Sequence, residues 1–251
     1  FIVEVVYKTN QITQYKPDNG RYLGIDPGVN NAFTLATNVP GITPVIVNGK
    51  PIKSINQFYN KQRARLTSLH DRLGQNRSSH HLASLDFYRN QKMSRFAHEA
   101  SKRIVDFALS HELNTIIIGK NKGQKQRSRM SKQNNQNFIG IPHQVMINLI
   151  KYKANLSGIV VIQHSESYTS QTSFLDKEEP IRENGNKARQ RKGLSPIKRR
   201  LKRGLYKANT GQLINADVNG ALQIIKKVVP NAFADGIEGI GLCPVKWSLR
   251  F

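Results

Sequence analysis

Alternation of apolar and polar residues opens the chain in a β-like rhythm. Phe1 to Tyr7 reads as a strand, and Arg21 to Asp26 as a second one that Asp26-Pro27-Gly28 breaks. Asn31 to Thr37 and Pro44 to Val47 follow, separated by turn residues at Asn38, Pro40 and Gly41. The last three of these runs predict an antiparallel meander. The period then lengthens. Ile55 to about Gly74 is polar and basic yet compatible with a helix, with Phe58, Leu66, Leu69 and Leu73 on a narrow apolar side. Met93, Phe96, Ala97, Ala100, Ile104, Phe107 and Ala108 recur at helical steps and predict a clearer second helix. Asn114 to Ile118 is continuously apolar, as a strand buried on both faces should be. Val145 to Leu156 predicts a helix and Gly158 to Ile162 a strand. Val218, Ala221, Leu222, Ile225 and Val229 mark a closing amphipathic helix.

A meander followed by alternating helices and strands predicts an α/β mixed sheet with helices packed on its faces. That order matches a ribonuclease H-like sheet, although a fold alone fixes no activity. Two segments fall outside this pattern. Residues 119–137 and 187–207 are rich in Lys, Arg, Gln and Asn and poor in apolar side chains. They read either as solvated loops or as phosphate-contacting hairpins that order on binding.

Composition narrows the partner. The 251 residues carry 39 Lys+Arg against 16 Asp+Glu, a formal charge of +23. Self-repulsion at that level favours a polyanionic partner. No apolar run reaches the roughly 20 residues a membrane helix needs, so nucleic acid fits better than a bilayer. The N-terminus lacks the pattern of a signal peptide. It opens on Phe1 within a strand-like run, from which we expect that an N-terminal region precedes this sequence. The single cysteine, Cys243, excludes an internal disulfide and a cysteine-based zinc site, and its expected role is that of a small buried hydrophobe. The seven histidines show no ligand spacing, and His80-His81 reads as surface.

Acidic residues are scarce, so their positions carry information. Asp26 sits where a strand meets a Pro-Gly turn, and ordinary turn chemistry explains it as well as metal ligation does. Asp217 stands where the last helix begins, a place an N-terminal acid also favours through the helix dipole. Metal-assisted phosphodiester cleavage needs such hard oxygen ligands to gather divalent ions.

Taken with their contexts, these residues resemble a known family. Gly24-Ile25-Asp26-Pro27-Gly28 resembles the opening catalytic motif of RuvC-like nucleases. Asn215-Ala216-Asp217-Val218-Asn219-Gly220-Ala221 resembles their closing motif as found in the TnpB (OrfB) family of transposon-encoded, RNA-guided nucleases. Asn134-Asn135-Gln136-Asn137-Phe138, Tyr152-Lys153-Ala154, Glu166-Ser167-Tyr168-Thr169-Ser170 and Ser173-Phe174-Leu175-Asp176 resemble stretches between them, in the family's order. The likeness runs from about Arg21 to about Val229. It implies a RuvC/ribonuclease H-like mixed sheet with flanking helices over residues 21–251, a helical insertion near 55–112, and a basic hairpin insertion near 168–212. Residues 1–20 would be the remnant of a wedge-like β region. It also implies a Mg2+-dependent DNA endonuclease (Mn2+ substituting) that serves a transposable element and works in the prokaryotic cytoplasm and nucleoid. Guide RNA and target DNA would be its partners.

The departures from the family pattern matter as much. The family's usual middle glutamate closes the fourth strand, where this chain has Gly119-Lys120. No acidic residue lies between Glu112 and Glu166, so Glu166 is the expected replacement, reaching the metal site from the neighbouring strand. The competing reading makes Glu166 a surface residue and the protein a nuclease-dead, nucleic-acid-binding regulator or transposon relic. Zinc-ribbon cysteines are missing, so no zinc is expected. The acidic cluster Asp176, Glu178, Glu179 and Glu183 reads as solvated loop charge. The expected site is therefore Asp26, Glu166 and Asp217 as catalytic metal ligands. Lys120, Lys122, Lys125, Arg127, Tyr168, Thr169, Ser170, Arg199, Arg200, Lys202 and Arg203 are the expected nucleic-acid contacts.

Overall fold

A computed structural model describes residue 3 and residues 14–74, 79–120, 141–181, 200–202 and 204–251. Strands β1 (Tyr22–Pro27), β2 (Asn31–Thr37) and β3 (Val45–Asn48) form the expected antiparallel meander. Helices α1 (Lys50–Arg72) and α2 (His80–Ser110) follow, then β4 (Thr115–Gly119), α3 (His143–Leu156) and β5 (Val160–His164). A short second sheet holds β6 (Arg200–Lys202), β7 (Leu205–Lys207) and β8 (Leu213–Asn215). Helix α4 (Ala216–Val228), strand β9 (Val245–Trp247) and a single 3-10 turn at Thr169–Gln171 complete the described elements.

The main sheet has six strands in the order β5-β4-β1-β2-β3-β9. β4 runs parallel to both β1 and β5, which places β1 inside the sheet and leaves β5 as an edge. This is the mixed, helix-flanked sheet of the RuvC/ribonuclease H-like class. Alternation along β1 assigns its faces. Leu23 and Ile25 point into a core shared with Met93, Phe96, Ala100 and Ile104 of α2 and Met146 and Ile150 of α3. Position 24 points the opposite way, at α4, whose Val218, Ala221, Leu222 and Ile225 form a second core with Tyr22, Ile117 and Phe174.

Helix α4 lies very close to the sheet. A Cβ at Gly24 would stand 2.3 Å from the Ala221 carbonyl oxygen and 2.7 Å from Ile225 Cγ1. Only glycine permits that approach, since the obstacle is backbone that cannot swing aside. Gly24→Ala is therefore expected to destabilise the fold by about 2 kcal/mol. For a domain of this size that is a fall in Tm of roughly 4–8 °C, read by calorimetry. An unchanged Tm would mean that α4 is not seated against β1 as described.

Three features differ from the sequence reading. Helix α1 starts at Lys50, five residues early, because Pro51 sits in its first turn, where a missing N–H costs nothing. Its buried positions are Ile52, Asn56 and His70, while Phe58, Leu69 and Leu73 are exposed. Strand β9 pairs in parallel with β3, and the tail beyond it buries Leu249 and stacks Phe251 edge-on against Phe96 at 5.1 Å. Cys243 is exposed rather than buried, because it lies in the irregular stretch before β9 and not on a packed face. Lys153 of α3 ties the helical layer together by donating to the His98 carbonyl (2.7 Å) and Ser101 Oγ (2.8 Å) of α2. Burial pushes its pKa below the ordinary lysine value, partly offset by the charge of Asp106. No helix among the described residues is long and apolar enough to cross a membrane.

Candidate active site

Asp26 is set by β1. It lies one residue beyond Ile25, which is paired with Ile118 of β4, and opposite Thr34 of β2. Alternation puts its side chain on the α4 face, like position 24. The turn that follows is anchored on both sides: the Gly28 N–H donates to the Ala32 carbonyl (3.1 Å), and Nε2 of buried His143 lies 2.7 Å from the Gly28 carbonyl oxygen. A Cβ at Gly220 of α4 would come within 2.8 Å of Asp26 Oδ2, so the helix presents bare backbone to this carboxylate.

Asp217 is set by α4. Asn215 caps the helix, its side-chain oxygen accepting from the N–H groups of Asp217 (3.0 Å) and Val218 (3.2 Å). With the cap already supplied, the Asp217 carboxylate is not needed for it. Asn31 of β2 instead donates to Asp217 Oδ2 at 2.6 Å, fixing one oxygen. Asp26 and Asp217 line one cleft of about 500 Å3, together with Asn30, Asn31, Thr34, Lys50, Gly204 and Lys246.

Glu166 arrives from β5. That strand pairs with β4 up to Gly119 opposite His164, and the Lys120 N–H extends the ladder to the His164 carbonyl (2.7 Å). The chain then turns over the end of β4. A Cβ built at Gly119 would stand 2.8 Å from Glu166 Oε2 and 3.0 Å from Glu166 Cβ, with Ile224 Cδ1 of α4 at 2.7 Å. The Glu166 side chain thus fills the volume that a side chain at position 119 would claim, on the α4 face of the strand next to Asp26. The loop carrying it is strongly held. Lys227 of α4 donates to the carbonyls of Ser165 (2.9 Å) and Ser167 (3.0 Å), on either side of Glu166. Thr169 donates to the Glu166 carbonyl through both its N–H (3.2 Å) and its hydroxyl (2.9 Å). These bonds offset the left-handed backbone of Tyr168 (φ 68°), a conformation that costs a non-glycine residue roughly 1–2 kcal/mol.

Asp26 and Glu166 therefore lie on the sheet face that α4 covers, and Asp217 stands in the first turn of α4 itself; the cleft is lined by Asp26 and Asp217 but not by Glu166. Among the described residues, however, no three His, Cys, Asp or Glu side chains close into a ready metal-ligand group. The residues still fit a divalent ion as a donor set. All are hard oxygen ligands, and glycines at 119 and 220 leave room around two of them.

The expected nucleic-acid contacts are distributed differently. Lys120 follows β4 beside the Glu166 loop, Tyr168 is half-buried and Ser170 is exposed. Thr169 is buried, its hydroxyl spent on the loop. Arg200 and Lys202 stand on β6, whereas Lys122, Lys125, Arg127, Arg199 and Arg203 lie outside the described residues. The acidic loop is structural: Glu178 accepts from the Ser173 N–H (2.8 Å), Asp176 accepts from the Asn209 N–H (2.9 Å) and Glu179 pairs with Lys226 at 2.8 Å. Glu183 is outside the described residues. Asn31 and Lys227, which orient the site, gave no signal in the sequence, and Asn219 stands in the closing motif without a mark of its partners. Their partners lie far off along the chain.

Comparison with known proteins agrees with this architecture. Residues 4–135 match the OrfB_IS605 family model, described as a probable transposase, and residues 143–224 match the Cas12f1-like TNB domain model. No curated protein matches the chain. Among solved structures, a Cas12f1–sgRNA–target DNA complex superposes with a TM-score of 0.57 at 19% identity, covering 83% of this chain and 50% of the other. A CRISPR–Cas12f ternary complex superposes with the same TM-score at 17% identity, covering 88% and 41%. At those identities the likeness is one of fold. The chain spans half or less of the length of these structures.

Proposed function

Because the chain belongs to the OrfB_IS605 (TnpB) family of probable transposases, we propose that it is the nuclease portion of an RNA-guided DNA endonuclease serving a transposable element. In this reading Asp26, Glu166 and Asp217 hold Mg2+, with Mn2+ able to substitute. Guide RNA and target DNA are the partners, selected by base pairing, while the basic surface supplies sequence-independent affinity. The observation that carries the reading is the Glu166 carboxylate lying in the space of the missing side chain at 119. In this reading a metal-binding carboxylate is supplied from the loop after the adjacent strand in place of one at position 119.

A bound divalent ion supplies an activated water and charge stabilisation at the departing oxygen. The chain's own residues do the positioning. Asn31 fixes one oxygen of Asp217, a residue that lines the cleft. Lys227 and Thr169 hold the backbone of Glu166, so that its side chain enters the site from a rigid base. Such pre-orientation keeps the cost of reorganising the site low when charge develops.

A second reading, a nucleic-acid-binding module that does not cut, is favoured by the absence of a closed ligand group among the described residues. Titration with Mn2+, followed by electron paramagnetic resonance, separates the two. Asp26→Asn and Glu166→Gln are each expected to weaken binding by at least about tenfold to a hundredfold, since even outer-shell changes cost that much. If Asp26→Asn weakens binding and Glu166→Gln leaves it unchanged, the endonuclease reading fails in favour of the binding module.

A further inference from the structure

The cleft that holds Asp26 and Asp217 has a cationic wall that the carboxylates do not explain. Lys50 opens α1 directly beyond β3, and Lys246 lies on β9, whose register pairs it with Ile46 of β3. Adjacent parallel strands thereby bring two exposed lysines, almost 200 residues apart in sequence, to one cleft. No described residue hydrogen-bonds or ion-pairs with either ammonium group. The first turn of α1 has no acidic residue, so the positive end of the helix dipole adds to the field. An independent feature points the same way. Thr34, opposite Asp26 on β2, is 1% exposed and lines the cleft, yet its hydroxyl has no hydrogen-bond partner among the described residues. A buried hydroxyl left unpaired costs stability unless something fills its place.

We infer that Lys50 and Lys246, with the Thr34 hydroxyl at the cleft floor, form a subsite for a backbone phosphate of a single nucleic-acid strand, beside the phosphate presented to Asp26 and Asp217. Lysine suits this task as a mobile point charge for an oxyanion. The arrangement also orders the strand. One phosphate rests against the cationic wall, and its neighbour is held over the carboxylates. The inference concerns the same cleft as the endonuclease reading, but phosphate seating can be measured with no metal present.

The test uses the full chain and a fluorescein-labelled single-stranded DNA oligonucleotide, with anisotropy read in EDTA across a salt series. Each phosphate contact contributes about 0.7 to the slope of log K against log salt for single strands. Lys50→Gln/Lys246→Gln should lower the slope by about 0.7, the weight of one phosphate. The charge-matched control Lys61→Gln/Lys151→Gln, exposed and away from the cleft, should lower it by less. Thr34→Val keeps the shape and should weaken binding about fivefold, the weight of one hydrogen bond. An unchanged slope, or an equal fall in the control, would overturn the subsite. Mn2+ affinity should be retained in the lysine variant. If wild-type protein binds no Mn2+ while the slopes behave as stated, the endonuclease reading fails and the phosphate subsite stands.

Discussion

Moving the glutamate from position 166 to position 119 should restore the metal affinity that its removal lowers. Glu166→Gly alone takes away one of three proposed ligands, and Mn2+ binding should fall by at least about tenfold to a hundredfold. Gly119→Glu alone places two carboxylates in one volume. Its Cβ would stand 2.8 Å from Glu166 Oε2 and 3.0 Å from Glu166 Cβ, so overpacking and like-charge repulsion should lower the Tm. In Gly119→Glu/Glu166→Gly both obstructing atoms are gone. The remaining obstacle, Ile224 Cδ1 at 2.7 Å, is the flexible end of a side chain and can rotate. Position 119 extends the register that pairs Ile25 with Ile118, so a glutamate there emerges beside Asp26. The double variant should bind Mn2+ within about tenfold of wild type, which makes the two positions strongly coupled rather than additive. A double variant as weak as Glu166→Gly would show that the two positions do not serve one site.

The contrast between these positions shows what the sequence could disclose. Asp26 and Asp217 were legible as candidates because each sits at a punctuated junction, one at a Pro-Gly turn and one at a helix start, in motifs that resemble a family. Glu166 was legible as a candidate by elimination in an acid-poor stretch and by the expected neighbourhood of two apolar strands, of which the pairing of β5 with β4 is observed. Periodicity also located the meander, α2, α3 and α4, because each buries a continuous face. It placed β5 two residues early, since an edge strand is only half-covered and its apolar signal runs on past its ends. Strand β9 escaped entirely. Three residues carry no period, and Val245–Trp247 is held by pairing with β3 and by Trp247 against Phe107, ring centroids 5.8 Å apart. In α1 the apolar stripe misled. Phe58, Leu69 and Leu73 repeat at helical steps but lie open to solvent, while polar Asn56 and His70 are buried. The residues that orient the carboxylates were silent for the same reason. Asn31 and Lys227 act on partners 186 and about 60 positions away, and nothing local marks them.

Asn219 stands in the closing motif, yet nothing in the sequence marks its partners, and its loss should have the largest effect on stability. It is fully buried, and its side chain joins α4 to the segment that follows the Glu166 loop. Oδ1 accepts from the Phe174 N–H and Nδ2 donates to the Thr172 carbonyl, both at 2.9 Å. A backbone donor and a backbone acceptor flank it, so the amide has only one satisfactory orientation. Asn219→Ala would leave both backbone groups buried and unpaired, at about 1–3 kcal/mol each. The expected loss is about 2–5 kcal/mol, a fall in Tm of roughly 5–15 °C. Asn219→Asp isolates the cause. It keeps the shape and the acceptor for Phe174 but turns an oxygen towards the Thr172 carbonyl, so it should destabilise nearly as much as alanine. Were packing volume the main contribution, aspartate would instead behave like wild type. The same variants should weaken Mn2+ binding below their unfolding temperature, because Thr172 lies three residues beyond Thr169, which holds the Glu166 carbonyl. A folded Asn219→Asp with full Mn2+ affinity would mean that the Glu166 loop keeps its place without α4, and that Lys227 and Thr169 alone position the third carboxylate.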